Sequence, residues 1–421
     1  MGIKLYKDNW MYALIPYNIA MGPLSTLITL QILRLGGNVI DVAYTISLAN
    51  LTSIIGSLIW GFAADYFDRK KQILLSLSTV GLTLVAISYT KSISLIEILY
   101  SILSFLNTAS STPLSLLIMS TVRKDLWASS YAKLNYLSSV GYLIGLLGSS
   151  LLAIYFKLDF IVILMGILVL ISFGLSYYFI PKPELHIERT ALLHNLESFL
   201  IRLKQIPTIF IHFPSKYSFK IFSLSRLKSL VSAYVPLLYI GMFLFYIASG
   251  IFNTEYPAGL KEGGLSNSLI LIIFSIGMLF QIISYYLSPR FINKLGKART
   301  SWISLLMRGS SYFIIGLLTV IIANKISLIL SGIIFYPIAA GLAFSAFYTA
   351  SSIMIFEIVK SGKEGSTLGV YSTLTGIAMT LGSFVSGYMV RYMGFGFTYI
   401  IAGIILLFNV YIFKTIERLP R

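Results

Sequence analysis

Long apolar stretches separated by short polar breaks run through the whole chain. An α-helix needs about 20 apolar residues to cross a bilayer. Six such stretches fill the first half of the chain, near 11–34, 42–64, 72–90, 93–121, 130–156 and 160–180. Six more fill the second half, near 232–256, 266–288, 300–323, 327–356, 366–390 and 395–413. The pattern predicts an all-α membrane protein with twelve transmembrane helices.

The second half of the chain looks like a copy of the first. At a shift of 235 residues Gly141 falls on Gly376. Independently of that shift, Pro113 and Pro337 take similar places in the fourth and tenth spans. Repeats of this kind are typical of transporters, so they predict two pseudo-symmetric six-helix bundles. The chain then divides into an N-terminal bundle, a basic cytoplasmic connector and a C-terminal bundle, at 1–180, 181–230 and 231–421.

The connector contains an apolar stripe with basic residues between its members. Its apolar positions recur at alternating steps of four and three, which places them on one face of a helix: Leu192, Leu196, Phe199, Leu203 and Ile206. A basic amphipathic helix can lie on an anionic inner leaflet. The alternative is a solvated linker that orients the protein. Neither interpretation gives the connector a catalytic role.

The positions of the basic residues predict the orientation of the chain in the membrane. Cytoplasmic loops of membrane proteins carry an excess of Lys and Arg. With the N-terminus inside, 25 of the 32 Lys and Arg fall on the inner side and six on the outer side. This split predicts a multi-pass protein of the cell membrane with both termini in the cytoplasm.

Composition excludes most other classes of protein. Of the 421 residues, 57% are strongly apolar and 11% are charged, which leaves little material for a soluble domain. The net charge of +17 reflects a total of only 15 acidic residues, so it does not indicate a nucleic-acid partner. The chain has no Cys, and its histidines, His186, His194 and His212, are spaced unlike a metal site. We therefore expect no metal and no cofactor.

The most specific local motif follows the second span. It runs from Gly61 to Lys71 and reads GFAADYFDRKK. It resembles the loop signature of the major facilitator superfamily, in which a Gly is followed by an Asp and then by a basic turn. Four positions match that signature: Gly61, Asp65, Arg69 and Lys70. The family usually has a basic residue at the position of Tyr66 and Gly at that of Asp68. The resemblance implies a prokaryotic 12-helix secondary permease.

The resemblance also implies a gating role for this motif. Asp65 ends the second span, and the family packing would place it near the start of the eleventh helix, around Gly365 to Thr367. A helix start carries partial positive charge, so this contact would hold the cytoplasmic side closed. Gly61 would permit close packing there. The alternative is that the basic residues only fix topology.

The resemblance further implies a central cavity lined mainly by helices one, four, seven and ten. The polar candidates for its lining are Asn18, Asn50, Asn107, Tyr142, Tyr246, Asn253, Gln281, Tyr336, Tyr348 and Thr375. Most are neutral hydrogen-bonding or aromatic groups, which suits a neutral or amphipathic organic solute. Mid-helix Asn residues also join neighbouring helices, so each is open to a structural interpretation.

Ionisable groups within spans are costly and are therefore candidates for function. The carboxyl candidates for proton coupling are Glu255, Glu97 and Asp41, and Glu255 is the first choice because Pro257 beside it can end or kink the seventh helix. Each could instead lie at the membrane interface. Arg308, in the ninth span, could contact an anion, or it could extend to the lipid phosphates or form a structural pair.

Taken together, the sequence favours a secondary active transporter that moves a small organic solute by alternating access. No phosphate-binding loop is present, so a proton gradient is the expected energy source, with facilitated diffusion as the alternative. The expected partners are the lipid bilayer, a solute and a proton, and the expected state is a monomer without catalytic residues. Two other classes remain open: a membrane-embedded transferase for lipid-linked substrates, using Asp65 and Asp68, and a non-transporting receptor.

Overall fold

The structure is a computed structural model that describes residues 8–66, 68–122, 127–181, 234–322, 324–358 and 364–419. Residues 182–233, which include all but the first residue of the predicted connector, lie outside the described residues, so its surface helix stays a prediction. The helices are α1 (Asp8–Leu14, Ile15–Met21 and Leu24–Arg34), α2 (Val39–Tyr66), α3 (Arg69–Tyr89), α4 (Ile93–Asn107, Thr108–Ser110 and Ser111–Thr121), α5 (Trp127–Tyr155), α6 (Leu158–Phe179), α7 (Tyr234–Glu262), α8 (Asn267–Leu295), α9 (Lys297–Ile321), α10 (Lys325–Tyr336, Pro337–Ala343 and Phe344–Ile358), α11 (364–393) and α12 (395–418).

The described part contains eleven helical segments that are long and apolar enough to cross a membrane. The last segment crosses twice, because the helix is broken at Gly394, where φ is +82°. Neighbouring contacts confirm a reversal there. Gly250 of α7 lies against Gly382 of α11, whereas Gly259, further along α7, lies against Tyr399 of α12. The predicted twelve-helix fold is confirmed.

The fourth helix of each half is interrupted near its middle. α4 contains a 3₁₀ turn at Thr108–Ser110, just before Pro113, and α10 contains a π-helical turn over Pro337–Ala343. Proline has no N–H and its ring clashes with the carbonyl four residues earlier, so a proline removes one hydrogen bond from the ladder and favours a local break. The equivalent breaks fit the internal repeat that the sequence predicts.

Helix α7 does not end at Pro257, as the sequence suggested. The helix continues through this residue to Glu262. A proline is tolerated inside a transmembrane helix where neighbouring helices pack around it. Pro257 is buried, and Gly259 beyond it lies against Phe395 and Tyr399 of α12. This packing holds the last turns of α7 helical.

Glycines allow α1 and α5 to pack closely. A Cβ at Gly145 would lie 1.9 Å from the carbonyl oxygen of Ile19, and a Cβ at Gly141 would lie 2.6 Å from Cβ of Asn18. These contacts leave no room for a side chain. Glycine therefore permits the close approach of α5 to α1.

We expect Gly145→Ala to destabilise the protein by about 2 kcal/mol, because α1 and α5 must separate to admit the methyl group. The thermal unfolding midpoint of the purified protein should fall by several degrees. Gly148→Ala is the matched control, since a Cβ at Gly148, on the same helix, has no heavy atom within 4 Å. Equal stability of the two variants would contradict the packing argument.

The two halves meet along two helix pairs, α2 with α11 and α5 with α8. We call the face at which α1 begins and α12 ends the terminal face, and the other the opposite face. Near the opposite face, Gly387 of α11 lies against Ala43 of α2, and the hydroxyls of Ser150 and Ser268 are 3.0 Å apart. The halves are therefore in contact at the opposite face.

Candidate functional site

A cavity of about 330 Å³ lies between the halves near the middle of the bundle. Helices α1, α2, α4 and α5 supply most of its wall, and α7 and α11 close it from the other half. It is lined by Met21, Leu24, Ser25, Ile46, Ala49, Asn50, Ser53, Tyr100, Leu103, Ser104, Asn107, Tyr142, Asn253, Thr254 and Met379. Every side chain in this lining is neutral.

Four of the ten predicted lining residues reach this cavity, namely Asn50, Asn107, Tyr142 and Asn253. Of the other six, Asn18 is buried where α1 meets Gly141 of α5. Tyr336 stacks on Tyr256 in an aromatic cluster, with ring centroids 4.8 Å apart. Both side chains therefore join helices and do not face the cavity.

The remaining four predicted residues make contacts within the C-terminal half. The hydroxyl oxygens of Tyr246 and Tyr371 are 3.4 Å apart, and Gln281 Nε2 donates to the hydroxyl of Tyr285 at 3.5 Å. Tyr348 stacks on Phe344, and Thr375 donates to a carbonyl of its own helix. None of them is part of the cavity wall in this conformation.

Sequence reasoning missed four small hydroxyl residues of the lining: Ser25, Ser53, Ser104 and Thr254. Three lie beside residues that were predicted. Ser53 follows Asn50 by three positions, Ser104 precedes Asn107 by three, and Thr254 is next to Asn253. Residues three apart share a helix face, so this spacing was the available signal.

A short chain of hydrogen bonds joins the two halves at the edge of the cavity. Asn50 Nδ2 of α2 donates to Ser383 Oγ of α11 at 3.2 Å, and Thr254 Oγ1 of α7 donates to the same oxygen at 2.9 Å. Ser383 is fully buried. Any motion that separates α2 from α11 must break the Asn50 bond.

Glu255 lies directly behind this chain, between α7 and α11. Its side chain is fully buried. Oε1 is 3.0 Å from Ser386 Oγ, whereas Oε2 has no hydrogen-bond partner among the described residues. Ser386 Oγ is also 2.7 Å from the carbonyl oxygen of Ser383. A serine hydroxyl carries one hydrogen, so Ser386 can donate to only one of these two oxygens at a time.

The other two carboxyl candidates have different surroundings. Asp41 Oδ2 accepts the backbone N–H of Asn38 at 2.8 Å, and Asn38 Oδ1 accepts the N–H of Ile40. This reciprocal arrangement caps the start of α2 and accounts for Asp41 structurally. Glu97 is half-buried near the start of α4. Neither residue belongs to the cavity wall.

Arg308 is enclosed in the C-terminal half and is 1% exposed, so its side chain does not extend to the lipid phosphates. Its Nε and Nη2 donate to the hydroxyl of Tyr312 at 3.0 and 2.7 Å, while Nη1 has no hydrogen-bond partner in the described part of the chain. The guanidinium also lies 4.8 Å from the ring centroid of Phe245 and 5.0 Å from that of Phe344. Within the described ranges, no carboxylate forms an ion pair with it.

Arg308 reaches the cavity indirectly, through Tyr312. The Tyr312 oxygen accepts two guanidinium N–H groups, so its own hydrogen is left for Asn253 Oδ1 at 3.4 Å. Because arginine can only donate, it sets the direction of this chain. Asn253 lines the cavity, and its NH₂ group, a donor, takes no part in this bond.

We expect Tyr312→Phe to destabilise the protein by about 2 kcal/mol, because two donors of a buried cation lose their acceptor. The measurement is the thermal unfolding midpoint. Tyr256→Phe is the matched control, since the Tyr256 hydroxyl is buried in the same aromatic cluster and has no hydrogen-bond partner within the described ranges. That variant should match the wild type, and an equal loss in both would rule out a specific role for the Arg308 bond.

The structure describes part of the loop motif. The side chains of Asp65 and of residues 364–370 lie outside the described set, so the predicted gate contact stays a prediction. Arg69 Nη1 donates to the carbonyl oxygen of Leu116 at 3.3 Å, and Lys70 is buried with its Nζ 5.6 Å from the ring centroid of Tyr177. The two basic side chains therefore join α3 to its neighbours in the N-terminal half, Arg69 to α4 and Lys70 to α6.

The structure describes two further contacts near the motif. Among the described residues a Cβ at Gly61 would meet only Thr112 Oγ1, at 4.0 Å, and the predicted close packing of Gly61 against the start of α11 stays a prediction. Earlier on α2, a Cβ at Gly56 would lie 2.5 Å from Thr108 Oγ1 of α4, so the two helices approach closely there. Asp68, which stands where the family usually has Gly, accepts the N–H groups of Lys70 and Lys71 and caps α3.

Comparison with known proteins agrees with this architecture. The model of the MFS_1 like family matches residues 18–401. The chain belongs to this family. It is thus a multi-pass membrane protein of the major facilitator superfamily, as the loop motif and the repeat predicted. No curated protein sequence matches it.

Several solved transporter structures share this fold. The nucleoside transporter NupG is 16% identical, with a TM-score of 0.70 and full coverage of both chains. A D-xylose-proton symporter is 14% identical, with a TM-score of 0.72 and 98% coverage of each chain. A POT family transporter in complex with a thioalcohol-conjugated peptide is 12% identical, with a TM-score of 0.73, and the match covers 97% of this chain and 95% of that one.

Proposed function

We propose that this protein is a proton-coupled secondary transporter that moves a small organic solute by alternating access. The observation that carries the proposal is the neutral cavity between the two halves, with the buried carboxyl of Glu255 directly behind it. The related folds include a nucleoside transporter, a D-xylose-proton symporter and peptide transporters, which supports the class of function. The distribution of Lys and Arg favours cytoplasmic termini, so in this proposal the opposite face is the outer one. The contact between the halves at that face then closes the cavity on the outer side.

The cavity favours a neutral solute that carries hydrogen-bond acceptors. The described wall has no charged side chain, so a multiply charged solute would lose its hydration without compensation. The NH₂ group of Asn253 takes no part in the bond with Tyr312, and Asn107 Oδ1 already accepts the hydroxyl of Tyr17 at 2.6 Å. Both amides are therefore left with donors for the solute. Arg308 acts on the solute through Asn253, because it does not line the cavity itself.

Glu255 is the proposed proton carrier. In this conformation a protonated carboxyl can donate to Ser386 Oγ while Ser386 donates to the Ser383 carbonyl, so both short contacts are satisfied at once. When α2 separates from α11, the Asn50 bond to Ser383 breaks and the seam between α7 and α11 is uncovered. Water then reaches Glu255, and its carboxyl can exchange a proton with the outer side. Proton exchange with that side is thereby tied to opening of the opposite face.

The experiment that tests the function uses the purified chain in sealed liposomes. Labelled uridine, D-xylose and dialanine are supplied with and without an imposed pH gradient. We expect accumulation of at least one class above its external concentration, dependent on the gradient and lost on adding a protonophore. Equilibration without accumulation would indicate facilitated diffusion. Binding without flux would indicate the receptor alternative.

A further inference from the structure

We propose that a cavity at the terminal-face end of α9 and α12 binds the headgroup of an anionic phospholipid. The cavity has a volume of about 320 Å³ and is separate from the central one. Its wall is formed by Arg299 and Trp302 of α9 and by Lys414, Glu417 and Arg418 of α12. The proposal is independent of the transported solute.

The charges of this cavity fit an anion. It contains three cations and one carboxylate, and in the described part of the chain Arg299, Lys414 and Arg418 take part in no ion pair. Glu417 accepts the indole N–H of Trp302 at 2.8 Å. The Lys414 ammonium lies 4.8 Å from the centroid of the same ring, so Trp302 holds both side chains at the edge of the cavity. The charge of Lys414 and the two guanidinium groups then remain for phosphate oxygens.

The position of the cavity fits a lipid headgroup. α9 begins at Lys297 and α12 ends at Arg418, so the cavity lies where both helices leave the membrane. Tryptophan is enriched at this boundary between membrane and water.

The exposed face of α12 changes from apolar to basic at the level of this cavity. Ile404, Phe408 and Tyr411 lie on one helix face and are 50%, 62% and 70% exposed. The same face continues, at helical spacing, with Lys414 and Arg418, which are also exposed. An apolar stripe that ends in a basic cavity has the shape of a phospholipid, with acyl chains beside the stripe and phosphate in the cavity. A free phosphate ion would use only the basic end.

The test is native mass spectrometry of the delipidated full chain, titrated separately with phosphatidylglycerol, phosphatidylethanolamine and phosphatidylcholine. We expect phosphatidylglycerol to bind tightest. Each basic residue near an anionic lipid contributes about a fivefold gain in affinity, so K414Q/R418Q should weaken phosphatidylglycerol binding about 25-fold. Inorganic phosphate at the same concentration should not displace the lipid.

The matched control is Arg290→Gln. Arg290 is an exposed basic residue near the same face whose guanidinium lies 5.4 Å from the ring centroid of Tyr286, but it does not border the cavity. The R290Q protein should bind phosphatidylglycerol as tightly as the wild type does. If K414Q/R418Q does not fold, the single variant Arg299→Gln must show the fivefold loss. Equal binding of the three lipids, an equal loss in R290Q, or displacement by phosphate would each overturn the proposal.

Discussion

Replacing Glu255 with Gln should abolish proton-driven accumulation and leave exchange of solute intact. The amide of Gln can donate to Ser386 Oγ as a protonated carboxyl would, so the closed conformation keeps its contacts. The Gln side chain does not titrate, so it cannot exchange a proton when the seam between α7 and α11 opens. With one proton per solute, a gradient of one pH unit can drive about tenfold accumulation. In E255Q the accumulation ratio should fall to about one under the same gradient.

The measurements are accumulation and counterflow exchange of one labelled solute in the same proteoliposomes. Glu97→Gln is the matched control, because Glu97 is the half-buried carboxyl of α4 outside the cavity wall and its loss should leave accumulation unchanged. Retained accumulation in E255Q would remove Glu255 from the coupling role. Loss of both accumulation and exchange would indicate a structural role instead.

The fold could be predicted because bilayer thickness sets one length for every span. Apolar stretches of about 20 residues located all twelve helices, including the pair that is continuous in the structure except for the break at Gly394. The end of α7 could not be located in this way. Pro257 marks a stop in a local pattern, but packing against Phe395 and Tyr399 carries the helix onward.

The cavity was harder to predict, because a transmembrane helix is apolar on all sides and the sequence does not show which side faces the partner helices. Asn50 and Asn18 are equivalent as sequence signals. One faces the cavity and the other is buried against α5. Arg308 illustrates the same limit, since a mid-span arginine can point to lipid or to the interior, and only the positions of Tyr312 and Phe245 decide between these two orientations.

A disulfide between α5 and α8 should stop transport. The hydroxyls of Ser150 and Ser268 are 3.0 Å apart across the two halves, which brings cysteines at these positions within the range of a disulfide. The chain has no Cys, so S150C/S268C can form only this intramolecular bond. Alternating access requires the opposite face to open, and a covalent link there prevents it. Oxidised S150C/S268C should therefore lose nearly all accumulation and exchange, and reduction should restore both.

The single variants S150C and S268C, treated with the same oxidant, control for loss of the serine hydroxyls and for oxidation itself. Both should transport at rates close to the wild type before and after oxidation. The bond must also form readily without substrate, because the described conformation already places the two hydroxyls in contact. Full transport by quantitatively cross-linked protein would show that the halves do not separate at this face. Alternating access through the seam between α5 and α8 would then be excluded.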